Sequence, residues 1–328
     1  MPTQIGLLVV NLGSPDAPTP QAVRKYLFEF LHDKRVIDTS RWIWCPILHG
    51  IILRTRPARS ARAYAKVWGD LDKAGPLVEI THAQARGVAQ RLGEDVHVET
   101  AMRYGNPSIG SGLDALKAKG CTRIAVLPMY PQFAGATTAS VYDGVAKALT
   151  KRMDVPELRF LRDYHDDPRY IKCLGDSLKT HIASLGWEPD VVLASYHGLP
   201  QSYVDKGDPY QSECIHSTDL LRAYLGMTKN SLRTTFQSRF GPKAWLQPYT
   251  DITLEALPAE GVKKVAVMMP GFSADCLETL EEIAMEAHET FEKHGGKKFT
   301  AVPCLNDDPA HLDFLAALVG ERLLEGWL

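Results

Sequence analysis

Short apolar runs alternate along the chain with longer stretches of helical periodicity, the pattern of parallel strands joined by crossover helices. Eight runs read as strands, at residues 5–11, 96–103, 123–129, 158–162, 190–195, 234–238, 264–269 and 299–304, most of them closed by a Gly or Pro turn. The first shows the logic plainly. Gly13-Ser-Pro-Asp-Ala-Pro ends the strand, Thr19 offers an N-cap hydroxyl, and Pro20 supplies a first-turn proline for a helix over 21–31.

The eight runs form two sets of four that resemble each other. Arg103-Tyr-Gly-Asn-Pro107 echoes Arg239-Phe-Gly-Pro242, and Ala125-Val-Leu-Pro128 echoes Ala266-Val-Met-Met-Pro270. An internal duplication accounts for this; the competing explanation is that any βα unit ends in small turn residues. Arg103 and Arg239 stand 136 residues apart, whereas Gly13 and Gly198, after the first strand of each half, stand 185 apart, so the first half carries 49 more residues. The expected organisation is an α/β first lobe over 1–163 with an insertion at about 30–80, and a second α/β lobe over 164–328 whose last helix is a candidate to pack back on the first.

The insertion contains an apolar segment at 42–53, broken by Pro46, His49 and Gly50 and followed by Arg54, Arg56, Arg59 and Arg62. Loops added to a scaffold commonly carry function. Trp42, Trp44 and the aliphatic residues beside them, with the forked donors of the arginines, would suit a flat apolar ligand bearing carboxylates. An amphipathic helix with a solvated basic face is the plainer alternative. The segment is too short to span a bilayer, which takes roughly 20 apolar residues, but it is a candidate for contact with a membrane surface.

Composition narrows the function classes. With 328 residues, 45% hydrophobic and 23% charged, the chain has material for a substantial core. A net charge of −2 with signs interspersed gives no single-signed field, so no nucleic-acid partner is expected. Met-Pro-Thr-Gln leads directly into the first strand with no basic leader region, which predicts a cytoplasmic protein. Cys45, Cys121, Cys173, Cys214, Cys276 and Cys304 contain no Cys-x-x-Cys, so no zinc knuckle or iron–sulfur ligand run is spelled out and reduced thiols are expected.

Ligands of open α/β sheets bind beyond the carboxyl ends of the strands. Two such ends carry chemistry. His197 sits where the fifth strand meets a Gly-Leu-Pro turn, and an imidazole there can serve as a base or metal ligand, or simply hydrogen-bond a neighbouring loop. After the seventh strand, Asp275, Glu278 and Glu282 recur at three- and four-residue spacing, predicting three carboxylates on one helical face. Helix N-termini favour acidic residues, which explains the first two without function but weakens at Glu282. No dinucleotide, P-loop or His-Glu-x-x-His motif occurs. His165-Asp-Asp167 could coordinate a metal, although such clusters in turns are more often solvated.

Taken in order, Val10-Asn-Leu-Gly-Ser-Pro, Arg103-Tyr104, Tyr130-Pro-Gln-Phe, Thr137-Thr138, Ser195-Tyr-His-Gly-Leu-Pro200, Gly207-Asp-Pro-Tyr210, the run from Gln237 to Leu246 and Asp275-Cys-Leu-Glu-Thr279 resemble the ferrochelatases across nearly the whole chain. The resemblance implies two similar Rossmann-like lobes, each with a four-stranded parallel sheet flanked by helices, and a substrate cleft between them. It implies insertion of ferrous iron into protoporphyrin IX, with His197 and Glu278 as the catalytic and iron-binding pair. Arg103 and Tyr104 then lie in the porphyrin cleft with Trp42 and Arg54 as further substrate contacts, and Asp275 and Glu282 line a path for protons or metal. Iron is substrate; no permanently bound cofactor is implied. Cys276 stands where many relatives have histidine, so an accessory ligand there is a thiol or absent, and Gly135 and the short end at Leu328 imply no iron–sulfur cluster. A monomer with possible peripheral membrane contact is the expected state. The rival readings are a cobalt or nickel chelatase of a more carboxylated tetrapyrrole and a non-catalytic porphyrin or haem carrier, the latter having no use for an acidic outlet.

Overall fold

A computed structural model describes residues 4–70 and 73–328. Leu71 and Asp72, inside the predicted insertion, lie outside the described residues. The chain divides into two compact units, one formed by Met1–Met129, Gly135–Arg162 and Asp307–Leu328, the other by Tyr130–Ala134 and Asp163–Asn306.

In the first unit β1 (Gln4–Asn11), β2 (Val96–Met102), β3 (Cys121–Pro128) and β4 (Glu157–Phe160) make one parallel sheet in the order β2-β1-β3-β4. In the second, β5 (Val191–His197), β6 (Leu232–Gln237), β7 (Lys264–Met268) and β8 (Lys298–Ala301) repeat it as β6-β5-β7-β8. The central strands are buried on both faces and are therefore continuous in apolar residues, β1 having every residue from Ile5 to Asn11 buried.

Along the chain the helices are α1 (Pro20–Leu31), α2 (Arg41–Ile47), α3 (Leu53–Val67), α4 (Pro76–Leu92), α5 (Ile109–Ala118), α6 (Ser140–Leu149), α7 (Pro168–Ser184), α8 (Gln201–Val204), α9 (Tyr210–Leu225), α10 (Thr250–Ala256), α11 (His288–Lys293) and α12 (Pro309–Arg322). Thr19 caps α1, its Oγ1 accepting from Ala22 N at 3.3 Å. Where β5 reaches β6 through the single-turn α8 and α9, β1 reaches β2 through α1, α2, α3 and α4. The last helix, α12, belongs to the first unit and packs on α4.

The segment at 42–53 is apolar on two sides. Trp44, Leu48, Ile52 and Leu53 pack with Leu31 in a small core, and Trp44 Nε1 donates to Leu31 O at 2.8 Å. Trp42, Ile43, Ile47 and Ile51 point to solvent, Trp42 being 92% exposed. A π-helical turn at Leu48–Ile52 joins α2 to α3, and two more lie at Gly135–Ala139 and Glu278–Ala287. Wider turns of this kind are frequent at functional sites.

Candidate active site

Four chain segments of the second unit converge at the carboxyl end of β5. His197 is its last residue, in register with Gln237 at the end of β6. The imidazole Nδ1 lies 2.7 Å from Gly198 O. A carbonyl can only accept, so Nδ1 carries a proton, and in the neutral ring Nε2 is then the nitrogen with the lone pair for a proton or a metal. The turn that aims the ring depends on Gly198, whose amide donates to Gln237 O at 2.7 Å and where a Cβ would come within 2.6 Å of that carbonyl and 3.1 Å of the Trp245 ring.

Gln237 ties this strand end to the helix that follows β7. Its Nε2 donates to Glu278 O at 3.2 Å, and its Oε1 accepts from Ser195 Oγ at 2.8 Å. Ser195 in turn contacts Thr250, which donates to Thr235 at 2.9 Å, so the amide orientation is fixed from behind by hydroxyls. Ser238, the next residue, has a left-handed backbone (φ 63°). Such a conformation costs a non-glycine residue free energy and tends to persist at functional sites. Here it lets one residue hold a carboxylate twice: Ser238 N donates to Glu282 Oε1 at 2.7 Å, and Ser238 Oγ donates to Glu282 Oε2.

Glu282 stands close enough to His197 and Glu278 for both charges to act on it. Burial pushes its carboxyl up; the Ser238 hydrogen bonds and His197 pull down, Glu278 pushes up, and the net direction is upward. A carboxyl whose neutral form is favoured by burial, beside an imidazole, is suited to exchanging protons with it.

The predicted three-carboxylate face on an α-helix needs correction. From Glu278 the segment is π-helical, its core side anchored by Ile283 in the cluster around Leu193, Val265 and Phe291. Asp275 precedes it and is buried at 8% exposure. Its Oδ1 accepts from Thr279 Oγ1 at 2.8 Å and its Oδ2 from Asn306 Nδ2 at 2.7 Å, while its own amide donates to Asn306 Oδ1 at 2.8 Å. Asp275 thus pins the start of the helix to the loop after β8, while Glu282 lies near both His197 and Glu278. Cys276 is buried, and burial with the nearby Glu278 charge pushes its thiol well up, keeping it protonated and a poor ligand.

The other predicted site residues lie in the first unit. Arg103 is directed into that unit: Nε donates to Ser140 O and Oγ at 2.8 and 2.7 Å, and its guanidinium pairs with Asp33. Tyr104, 1% exposed, donates to Asp33 Oδ2 at 2.8 Å. Ser140 Oγ donates to the same carboxylate at 2.6 Å, and Arg35 N to its other oxygen at 2.7 Å. Burial opposes the Asp33 charge, but these donors with the Arg103 guanidinium outweigh it and hold the carboxyl below its usual range. Arg54 lines a groove of about 470 Å³ together with Gln21, Arg24, Lys25, Phe28, His49 and Leu53. Of the tryptophans offered as stacking surface, Trp44 belongs to the core and Trp42 to the solvent face.

Asp33, Ser140 and Ser238 escaped the sequence reading. Only Ser238 left a signal, a small hydroxyl residue at the end of an expected strand, beside the Arg239 that echoes Arg103 of the first half.

A ferrochelatase family model matches residues 4–323. The chain belongs to the ferrochelatase family. A protein named ferrochelatase from Rhodopseudomonas palustris is 51% identical over 329 residues, covering 100% of this chain and 95% of that protein. Another so named from Rhizobium meliloti is 52% identical, covering 99% and 96%. Among solved structures, SirB from Bacillus subtilis with Fe3+ superposes with a TM-score of 0.58 at 12% identity, covering 99% of this chain and 98% of that one. The sirohydrochlorin chelatase SirB in complex with cobalt gives 0.57 at 12% identity, covering 98% and 95%. These two carry the likeness of fold, two four-stranded parallel sheets flanked by helices. Membership in the ferrochelatase family weighs against the carrier and the cobalt or nickel chelatase readings.

Proposed function

We propose that this ferrochelatase places ferrous iron in protoporphyrin IX, the closing step of haem synthesis, at His197 and Glu278. The reaction replaces two pyrrole N–H protons by one divalent ion, so it needs a base against the macrocycle and somewhere for protons to go. In its neutral form His197, its Nδ1 committed to Gly198 O, presents Nε2 as that base or as an iron ligand. One imidazole with one carboxylate holds a borderline divalent ion well enough to replace part of its water, yet weakly enough to release it. Glu282, raised by burial and held by Ser238, is the proton acceptor beyond them. Asp275 serves by positioning the helix.

The observation that carries this reading is the contact of His197 Nδ1 with Gly198 O together with the Glu282 carboxyl near the ring. Arg103 and Tyr104 act through the Asp33 network that holds the first unit together, and porphyrin carboxylates find cationic partners in Arg54, Arg24 and Lys25 around the 470 Å³ groove, with Trp42 offering apolar surface nearby in sequence. Iron enters as substrate, and the chemistry requires no resident cofactor or iron–sulfur cluster. No described helix is long and apolar enough to cross a membrane. The exposed Trp42, Ile43, Ile47 and Ile51 face supports peripheral contact at the inner membrane surface, where an apolar porphyrin partitions.

The test is single-turnover iron insertion followed by the porphyrin spectrum. His197→Ala and Glu278→Gln should each abolish insertion while porphyrin fluorescence still reports binding. Near-full insertion by His197→Ala with porphyrin bound would remove His197 as the base.

A further inference from the structure

The turn between β4 and α7 carries Asp163-Tyr-His-Asp166, which the insertion chemistry does not use. His165 is 9% exposed, and Ser217 Oγ donates to its carbonyl at 2.9 Å, fixing its backbone. Its ring sits between two sets of partners. On one side Nδ1, buried and making no hydrogen bond, lies 3.4 Å from Asp163 Oδ1 and 3.6 Å from Glu213 Oε2. On the other, Nε2 faces Nδ1 of His216 on α9 at 3.4 Å. Ligand atoms of His165, Asp166 and His216 all lie within 4.8 Å of one another.

Carboxylates beside Nδ1 favour the tautomer that carries its proton there, which turns the Nε2 lone pair towards His216. Metal-binding histidines are arranged in this way, the far ring nitrogen facing a carboxylate. The facing nitrogens are farther apart than the roughly 2.7–3.2 Å at which N–H donors ordinarily bond. They match instead the chord of a tetrahedral site, about 3.4 Å for metal–nitrogen distances of about 2.0–2.1 Å. Asp166 and His216 are exposed, leaving the outer side open to a water ligand.

We propose that His165, His216 and Asp166 form a second metal site, for a divalent first-row transition ion of the zinc type, with Asp163 and Glu213 orienting His165 from behind. Two imidazoles select against magnesium and calcium, which take oxygen ligands. The ion ties the turn before α7 to α9. It shares no residue with His197, Glu278 or Glu282, and the proposal stands whether or not those residues perform the insertion.

The experiment uses the full chain bearing His197→Ala and Glu278→Gln, so that the insertion pair contributes no signal. Titration with Co2+ should give one equivalent with the visible absorption of tetrahedral cobalt, displaced by Zn2+, and Zn2+ should raise the Tm. Adding His216→Ala or Asp166→Asn, both at exposed positions and checked for folding by circular dichroism, should abolish the band and the Tm rise. Asp163→Asn should weaken zinc binding by about 10–100-fold, the usual cost of losing an orienting partner. In the otherwise unaltered chain, His216→Ala should insert iron at the normal rate. No tetrahedral band in the starting chain, or a band that survives His216→Ala, would overturn the proposal. So would loss of iron insertion in folded His216→Ala, which would assign the ion to the established reaction.

Discussion

Asp33→Asn removes one negative charge from a network that satisfies four donors at once. Asp33 and Arg103 side chains are 7% and 17% exposed, so the pair is largely out of water and little screened. Breaking a buried pair by removing one partner costs about 3–5 kcal/mol, because the remaining charge stays buried without compensation. Against a typical total of about 5–15 kcal/mol that is a large fraction. Urea unfolding followed by tryptophan fluorescence should show a lower midpoint at unchanged slope. The pH dependence carries its own sign. The folded carboxyl is held below its unfolded value near pH 4, so its stabilisation is complete above about pH 4 and fades as pH falls through the lower folded value. The native chain should therefore lose stability on acidification below about pH 4, and Asp33→Asn should lose less over the same interval. In conditions where the variant is folded, porphyrin binding should match that of the native chain. A stability change under about 1 kcal/mol together with a large loss of porphyrin affinity would refute the structural role given to Arg103 and Asp33 and return Arg103 to the substrate.

Ser238→Gly keeps the backbone donor to Glu282, accepts the left-handed φ without strain, and removes the Oγ donor. Hydrogen bonds to charged groups contribute about 1.5–3 kcal/mol, so kcat should fall by roughly 10–100-fold with KM for porphyrin nearly unchanged; unaltered kcat would dissociate Glu282 from the reaction. Trp42→Glu, at a position 92% exposed, should leave the unfolding midpoint within about 0.5 kcal/mol of native yet reduce sedimentation with anionic vesicles, and vesicle binding equal to native would exclude that face from membrane contact.

The sheets were legible because β1, β3, β5 and β7 are buried on both faces, and a strand that meets helices on each side must be apolar throughout. The edge strands β4 and β8 are half-buried, and the expected spans 158–162 and 299–304 run past their ends at Phe160 and Ala301 because only one side of them demands apolar residues. The duplication was legible for the same reason that the two sheets share one strand order. His197 stood out because it ends a strand before a Gly-Leu-Pro turn, whereas Glu278 was one of three spaced carboxylates and was paired with His197 only by the resemblance to the ferrochelatases. What the sequence hid was long-range. Nothing near Asp33 announces Ser140, 107 positions away, as a hydrogen-bond donor to it. The turn of Asp275 towards Asn306 depends on where the loop after β8 returns. Trp42 and Trp44 are two residues apart and equally apolar, and only packing against Leu31 sends one inward.

The π-helical run at Glu278–Ala287 sets thermal robustness against turnover. It carries no proline or glycine that would force the wider winding on it. Trimming one residue would let the strand-to-helix segment relax to ordinary α winding, a better hydrogen-bonded state, while rotating every later side chain by about 100°. Variants selected for heat tolerance would drift in that direction and lose the alignment of Glu282 with Ser238, so a robust relative with a shortened segment here should be a poor catalyst.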